Sequence, residues 1–214
     1  MTKLKTAEVW AIVHAERRAL VRDLADLTAE QWETRSLCPD WTVHDVVAHL
    51  VDSAKVGRLD FIRRMITSRF DFDRDNANGV ARERRDRPED TLAALAATVE
   101  LTRTPPADPA TRLVEAFGHG EDIRRPLGLT GSYPATGIGA ALNYLARTGV
   151  AVGGGKERVS GLRIQATDLD WSTGSGPDLR GRGIDLLLAL SGRPAGAAEL
   201  SGAGLETLTA SFSA

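Results

Sequence analysis

The chain has 214 residues, 42% of them hydrophobic and 26% charged, with a formal net charge of −2. This composition is typical of a globular protein with one large domain or with a larger and a smaller one. The charge favours neither nucleic acid nor a membrane surface as a partner, and no apolar run approaches the roughly 20 residues that span a bilayer. A single cysteine excludes an intramolecular disulfide and a multi-cysteine zinc site. The first ten residues lack the apolar core of a signal peptide, so we expect a cytoplasmic protein.

Helices are predicted along the first 150 residues. Apolar residues recur at helical spacing from residue 6 to about residue 27. Thr42, with Asp45 three residues later, is typical of a capping box, so a second helix is expected from residue 43 to about residue 69. The arginine-rich residues 82–87 are interpreted as a connection. Further helices are expected at about residues 88–103, 109–124 and 138–148.

The pattern changes after residues 153–155, three glycines that are typical of a linker. Residues 162–167 alternate between apolar and polar, as in a half-buried strand, and residues 170–177 are rich in turn formers. Short helices are expected at residues 184–190 and 205–212. We therefore predict two domains, a helical domain at residues 1–152 and a smaller mixed domain at residues 153–214.

Glu115 and His119 lie four positions apart in a stretch, LVEAFGHGEDI, that is otherwise largely apolar. In a helix, residues four apart share one face, with their β-carbons about 6 Å from each other. The two side chains can therefore bind one ion. Glu and His at this spacing also occur on solvated faces, and for the pair alone that interpretation is favoured.

A third ligand would have to come from the remaining histidines. His14 lies among charged residues on the first predicted helix, which indicates a solvated face. His44 is expected to be exposed in the first turn of the second helix. His49 lies at the edge of the apolar stripe of that helix, where a histidine is more often a core or boundary residue than a metal ligand.

Two segments carry a resemblance to a known family: residues 37–50, LCPDWTVHDVVAHL, and Glu115 together with residues 119–128, HGEDIRRPLG. They resemble the mycothiol-dependent maleylpyruvate isomerase family, which belongs to the wider DinB-like metalloenzymes. The C-terminal part resembles the small sterol-carrier-protein-like domain of that family, at Ala166, Thr167, Asp168, Trp171, Gly174, Gly176, Pro177 and residues 190–193. The resemblance covers nearly the whole chain. It implies a mainly α protein (α+β overall), with a DinB-like four-helix bundle followed by a small α/β domain.

The resemblance also implies a metal site, with His49, Glu115 and His119 as the ligands. Two imidazoles and one carboxylate, with an open fourth position, are typical of catalytic zinc sites. The same set suits iron or another divalent metal, and the resemblance favours zinc. It further implies mycothiol as a thiol cosubstrate, whose sulfur would become a thiolate on coordination.

The implied function is that of a mycothiol-dependent metalloenzyme using a metal-bound thiolate. It would be a cis-trans isomerase of the maleylpyruvate type or a thiol S-transferase acting on a small electrophile. The alternative is a metal-binding or thiol-sensing protein without turnover. The expected partners are a small-molecule thiol and a small electrophilic substrate, with no nucleic acid and no membrane, and the protein would be a monomer or a homodimer.

Three further residues are candidates for roles near the metal. Arg193 matches an arginine of the family's C-terminal domain, and the resemblance implies a catalytic role in binding a substrate carboxylate; a surface turn is the alternative. Asp122 can either orient a metal ligand or pair locally with Arg125. Cys38 has no evident histidine base beside it in the sequence, which favours a buried structural role.

Overall fold

The structure is a computed structural model, which describes residues 3–212. Within this range the chain is mainly helical, with a 3-10 turn at Val150–Val152 and one three-stranded sheet. The helices, in chain order, are α1 (Thr6–Asp23), α2 (Ala29–Trp32), α3 (Val43–Lys55), α4 (Arg58–Thr67), α5 (Phe72–Glu83), α6 (Pro88–Thr98), α7 (Thr111–Arg124), α8 (Ala135–Arg147), α9 (Lys156–Val159), α10 (Gly183–Leu190), α11 (Pro194–Ala197) and α12 (Leu205–Ala210). The strands are β1 (Arg163–Ala166), β2 (Ser172–Gly174) and β3 (Asp178–Gly181). The expected fold class, a mainly helical protein with a small α/β part, is confirmed.

Contacts divide the chain into two compact units. The α unit consists of residues 10–109 and 119–131, and the α/β unit takes the described residues of the ranges 1–9, 110–118 and 132–214. Both α1 and α7 contribute residues to each unit. Helix α8, which we assigned to the N-terminal domain, packs against α10 within the α/β unit. The predicted domain boundary between residues 152 and 153 stays a prediction.

Helix α3 provides much of the core of the α unit and packs against α5 and α6. Thr42 and Asp45 form the predicted capping box: the Thr42 side chain accepts from the Asp45 backbone N–H, and the Asp45 carboxylate accepts from the Thr42 N–H. The apolar side chains of α3 are buried with those of the neighbouring helices, among them Val43, Val46, Val47, Leu50, Val51, Leu20, Leu24, Trp32, Leu95 and Ile123.

The long second helix that we predicted is wrong in its C-terminal half. Helix α3 ends at Lys55, Val56 is extended, and Gly57 is the N-cap residue of α4, with its N–H donating to the Asp60 carboxylate at 3.4 Å. Helix α5 follows and includes part of the arginine-rich segment that we interpreted as a connection; residues 84–87 remain outside it.

Helices α3, α4 and α5 are joined by ion pairs around Asp52. Its carboxylate accepts from Arg64 at 2.7 Å and from Arg82 at 2.9 Å, and Arg64 also binds Asp75 at 2.9 Å. Gly79 of α5 allows this approach, because a β-carbon at that position would collide with the Asp52 carboxylate. These ion pairs hold α4 and α5, the two helices that follow His49 in the chain, to α3.

The sheet of the α/β unit has the order β2-β1-β3, with β1 antiparallel to β2 and parallel to β3. The predicted strand at residues 162–167 is confirmed, whereas β2 and β3 were not predicted. The chain passes from β2 to β3 around the start of β1, and this path requires Gly174 and Gly176. Both have positive φ, and a β-carbon on either would collide with a backbone carbonyl of Gly161 or Leu162.

Candidate functional site

A tight loop at residues 36–41, which we term the Cys38 loop, precedes α3. The Ser36 hydroxyl accepts from the Cys38 N–H at 3.1 Å and donates to the Trp41 carbonyl at 2.9 Å. Asp40 adopts a positive φ of 65°, which an aspartate tolerates better than most residues. The Leu37 N–H donates to the Asp122 carbonyl at 3.1 Å, so the loop is fastened directly to α7.

His49 lies in the second turn of α3, and its ring contacts two other rings. The Trp41 ring centroid is 5.1 Å from that of His49. The His119 ring centroid is 4.8 Å away on an edge-to-face geometry with an interplanar angle of 72°. The α unit thus brings together two of the three residues that the resemblance implies as metal ligands.

His119 is oriented by a buried carboxylate. Its Nδ1 lies 2.9 Å from Asp122 Oδ2, and the Asp122 side chain is fully buried while that of His119 is 15% exposed. A neutral imidazole that donates from Nδ1 has Nε2 as its available ligand atom. Of the two roles we considered for Asp122, the contact with His119 is the one that would orient a metal ligand, and that role stays a prediction. Arg125 forms an ion pair with Glu121 at 2.7 Å.

The interpretation that Cys38 has no histidine beside it is wrong. Its Sγ lies 3.0 Å from Asp122 Oδ2 and 3.7 Å from His119 Nδ1. These three side chains offer ligand atoms within 4.8 Å of one another, a spacing at which they could also hold a metal. They do not form a nucleophile–base–acid triad, because Cys38 and Asp122 face the same ring nitrogen of His119.

Glu115 lies one turn before His119 in the continuous helix α7, as predicted. Its carboxylate is 19% exposed and forms an ion pair with the nearly buried Arg112 at 2.5 Å. By contacts, Glu115 belongs to the α/β unit and His119 to the α unit. The complete ligand set of His49, Glu115 and His119 stays a prediction.

Arg193 follows α10 and lies close to Gly118, near the middle of α7. Its Nη1 donates to the Ser191 hydroxyl at 3.0 Å. A β-carbon placed on Gly118 would be 3.5 Å from the Arg193 Cζ, so the guanidinium rests on the helix at the residue before His119. The implied catalytic role of Arg193 stays a prediction.

The expected solvent exposure of His44 is wrong. Its side chain is buried, with Nε2 at 2.8 Å from the Thr91 hydroxyl and its ring edge-to-face with Trp32. Burial, followed by the nearby Arg84 charge, lowers the pKa of His44, which keeps it neutral. His14 is also largely covered, with its side chain 13% exposed and Nδ1 at 3.1 Å from Glu100.

None of the helices described in the structure combines the length and the apolar character needed to cross a membrane.

Residues 13–127 match the family model described as "Mycothiol maleylpyruvate isomerase N-terminal domain". Two solved structures have a similar fold. One is the crystal structure of a histidine-to-alanine mutant of the mycothiol-dependent maleylpyruvate isomerase, with 12% sequence identity and a TM-score of 0.66. The other is the crystal structure of the mycothiol-dependent maleylpyruvate isomerase, with 13% identity and a TM-score of 0.64. Each alignment covers 95% of this chain and 96% of the other. Comparison with curated proteins gives no match.

Proposed function

Because the chain belongs to the mycothiol maleylpyruvate isomerase N-terminal domain family, we propose that it is a mycothiol-dependent metalloenzyme. Its activity would be cis-trans isomerisation of the maleylpyruvate type or thiol S-transfer to a small electrophile. The observation that supports this best is the pair of adjacent imidazoles, His49 and His119, with His119 Nδ1 held by a buried carboxylate.

The donor set fits a divalent metal. Histidines that bind metals commonly donate their second ring nitrogen to a carboxylate, which is the relation between His119 and Asp122. His49, Glu115 and His119 would be the ligands, a set that zinc uses at catalytic sites and leaves open at one position. When bound, the metal lowers the pKa of a coordinating thiol so that it serves as a nucleophile at neutral pH.

The protein's own residues would then bind and orient the reactants. In an isomerase, the thiol sulfur adds to an activated cis double bond, rotation occurs about the resulting single bond, and loss of the thiol gives the trans isomer. A substrate of this type that carries a carboxylate would need a cationic partner, and Arg193 can supply a bidentate one. In a transferase, the thiol adduct would instead be released as product.

Metal analysis of the purified protein tests the ligand set. We expect about one divalent ion per chain, with zinc favoured, and loss of the ion in His49→Ala and His119→Ala because each removes one of three ligands. Glu115→Gln should weaken binding. The matched control is His14→Ala, since His14 pairs with Glu100, and this variant should keep the metal. Full metal occupancy in His49→Ala would contradict the three-ligand site.

Calorimetric titration with mycothiol tests the thiol dependence. We expect binding that requires the metal and releases a proton, followed by turnover of a maleylpyruvate-type substrate or by formation of a thiol adduct.

The variant Arg193→Lys should reduce turnover while metal content is unchanged, since lysine keeps the charge and loses the bidentate geometry. Binding of metal and mycothiol without turnover across such electrophiles would favour a metal-binding or thiol-sensing protein instead.

A further inference from the structure

We propose that Cys38 is a positioning residue for His119: it acts through Asp122 to fix the orientation of the imidazole and is not itself a metal ligand. The inference rests on the proposed function only in that His119 is taken to bind a metal through Nε2.

The Cys38 thiol and His119 Nδ1 both contact one oxygen atom of Asp122, and we term this three-residue arrangement the relay. The Cys38 thiol donates to Asp122 Oδ2 at 3.0 Å, and His119 Nδ1 lies 2.9 Å from the same oxygen. Because the Asp122 side chain is fully buried, its carboxylate needs hydrogen-bond donors from the protein. The thiol supplies one of them. Removal of the thiol would leave the orientation of the Asp122 carboxylate less fixed. The orientation of the His119 imidazole would then be less fixed as well.

The separations distinguish a relay from a set of ligands. Zinc–sulfur bonds of about 2.3 Å and zinc–nitrogen or zinc–oxygen bonds of about 2.0 Å at tetrahedral angles place ligand atoms roughly 3.3–3.6 Å apart. The contacts of Asp122 Oδ2 with the thiol and with His119 Nδ1, at 3.0 and 2.9 Å, are shorter than this. They have the lengths of hydrogen bonds, so Nδ1 faces the relay and Nε2 is left for the ion.

The Cys38 loop is built to hold this position. Its backbone reaches Asp122 through the Leu37 N–H, one residue before the thiol that reaches the Asp122 side chain. At the other end of the loop, Trp41 contacts the ring of His49. This loop of six residues therefore supports both imidazoles. Trp41 contacts His49 directly, and Cys38 acts on His119 through its hydrogen bond to Asp122 of α7.

Three variants test the role of the thiol. Cys38→Ser keeps a hydrogen-bond donor, Cys38→Ala removes it, and Asp122→Asn replaces the carboxylate that both groups share. Competition with a chelator should give near wild-type zinc affinity for Cys38→Ser. The affinity should be lower by about 10-fold or more for Cys38→Ala and Asp122→Asn, as is usual when the hydrogen bonds that orient a metal ligand are lost. Thermal melts establish that each variant is folded. Wild-type affinity in Cys38→Ala would overturn the proposal.

The cobalt(II) form distinguishes a relay from direct ligation. In the absence of added thiol, we expect no sulfur-to-cobalt charge-transfer absorption in the wild type and an unchanged spectrum in Cys38→Ser. A charge-transfer band that disappears in Cys38→Ser would show that Cys38 is a ligand, and would overturn the proposal.

Nitrogen-15 NMR of the metal-free protein separates this inference from the proposed function. At a pH where histidines are neutral, we expect His119 to be protonated at Nδ1 in the wild type and in Cys38→Ser, with mixed tautomers in Cys38→Ala. This tautomer pattern in a protein that binds no metal would support the relay and contradict the metalloenzyme. Identical tautomers in the wild type and Cys38→Ala would contradict the relay even if metal binds.

Discussion

Asp45 links the start of α3 to a distant arginine. Its carboxylate accepts from the Thr42 N–H at 2.9 Å, from the Thr42 hydroxyl at 2.8 Å and from Arg84 at 2.8 Å. Burial by itself would raise the pKa of Asp45, but the hydrogen bonds from Thr42 and Arg84 outweigh it and lower the pKa below its usual range. Asp45 therefore contributes to the free energy of unfolding. Its contribution is complete above about pH 4, the unfolded-state pKa, and is lost as pH falls through the lower pKa of the folded state.

The variant Asp45→Asn should lower the free energy of unfolding at pH 7 by about 1–2 kcal/mol, because it weakens both the helix cap and the Arg84 contact. Urea unfolding at pH 7 and at pH 3 measures this. We expect the difference between wild type and variant to shrink at the lower pH. A difference that is independent of pH would contradict the electrostatic part of the argument.

Glu16 has the opposite pH dependence. Its side chain is 6% exposed, and burial raises the pKa to about 7; the Arg124 charge and hydrogen bond lower it less than burial raises it, and Asp23 and Glu121 raise it further. In the unfolded chain this pKa is about 4.3. The folded state thus binds more protons between these values, and the contribution of Glu16 to stability falls as pH rises through that window.

We expect Glu16→Gln to flatten the pH dependence of stability between about pH 5 and pH 7. The upper limit of the effect is about 4 kcal/mol, at 1.36 kcal/mol for each unit between the unfolded-state and folded-state pKa values. Chemical denaturation at several pH values in this range measures the slope. An unchanged slope would show that burial of Glu16 has little effect on its protonation.

At the residue scale, local spacing predicted the Thr42–Asp45 cap and placed Glu115 and His119 on one helix face. It did not predict the environment of Cys38 or of His44. The partners of Cys38 lie 81 and 84 positions away, and the Thr91 partner of His44 lies 47 positions away. No periodicity reports contacts at such separations, so an isolated cysteine and a first-turn histidine were assigned from their immediate neighbours alone.

Among the elements, α4 ends in a turn that would suit glycine. The Arg69 N–H donates to the Ile66 carbonyl and the Phe70 N–H to the Met65 carbonyl, the pattern of a Schellman motif. Arg69 occupies the left-handed position of this motif, with φ of 57°. Glycine is preferred there because it has no β-carbon to strain.

The variant Arg69→Gly should therefore raise the free energy of unfolding by about 0.5–1 kcal/mol, because it relieves a left-handed conformation that is costly for arginine. The matched control is Arg63→Gly, which changes another exposed arginine but within α4, and should lower stability by about 1 kcal/mol. Denaturant midpoints compare the two. Destabilisation by both substitutions would contradict the assignment of strain.

The elements that the sequence pattern missed are those with weak periodic signals. The break between α3 and α4 depends on Gly57 and the Asp60 carboxylate, whereas the apolar pattern suggests one long helix. Helix α5 has only two buried residues, Gly79 and Val80, so it lacks an apolar stripe. Strands β2 and β3 have three and four residues and lie on either side of a glycine-rich turn, which hides their alternation.

For the whole molecule, binding of a metal should couple to stability. An ion that binds the folded chain and not the unfolded one stabilises it by RT ln(1 + [L]/Kd), about 2.7 kcal/mol at 100 times Kd. At about 2–4 °C for each kcal/mol, the melting temperature should rise by several degrees. Calorimetry of the apoprotein with and without zinc measures the rise. We expect no rise in melting temperature for His49→Ala. An equal rise in the wild type and in His49→Ala would show that the metal binds at another site.

The overall architecture was predicted by resemblance, because two separated motifs and a C-terminal pattern together specify a family. The packing of α8 against α10 was not predicted, because the sequence pattern indicates where helices lie and not which of them pack together.

The hydrogen bond from Cys38 to Asp122 joins residues 84 positions apart. Bringing such distant residues together costs conformational entropy that other native contacts must offset, so we expect this hydrogen bond to form late in folding. In zinc fingers, closely spaced ligands let the ion itself drive folding. Here we expect the reverse order in time: the polypeptide folds first, Asp122 then aligns His119, and the ion enters a site that is already assembled.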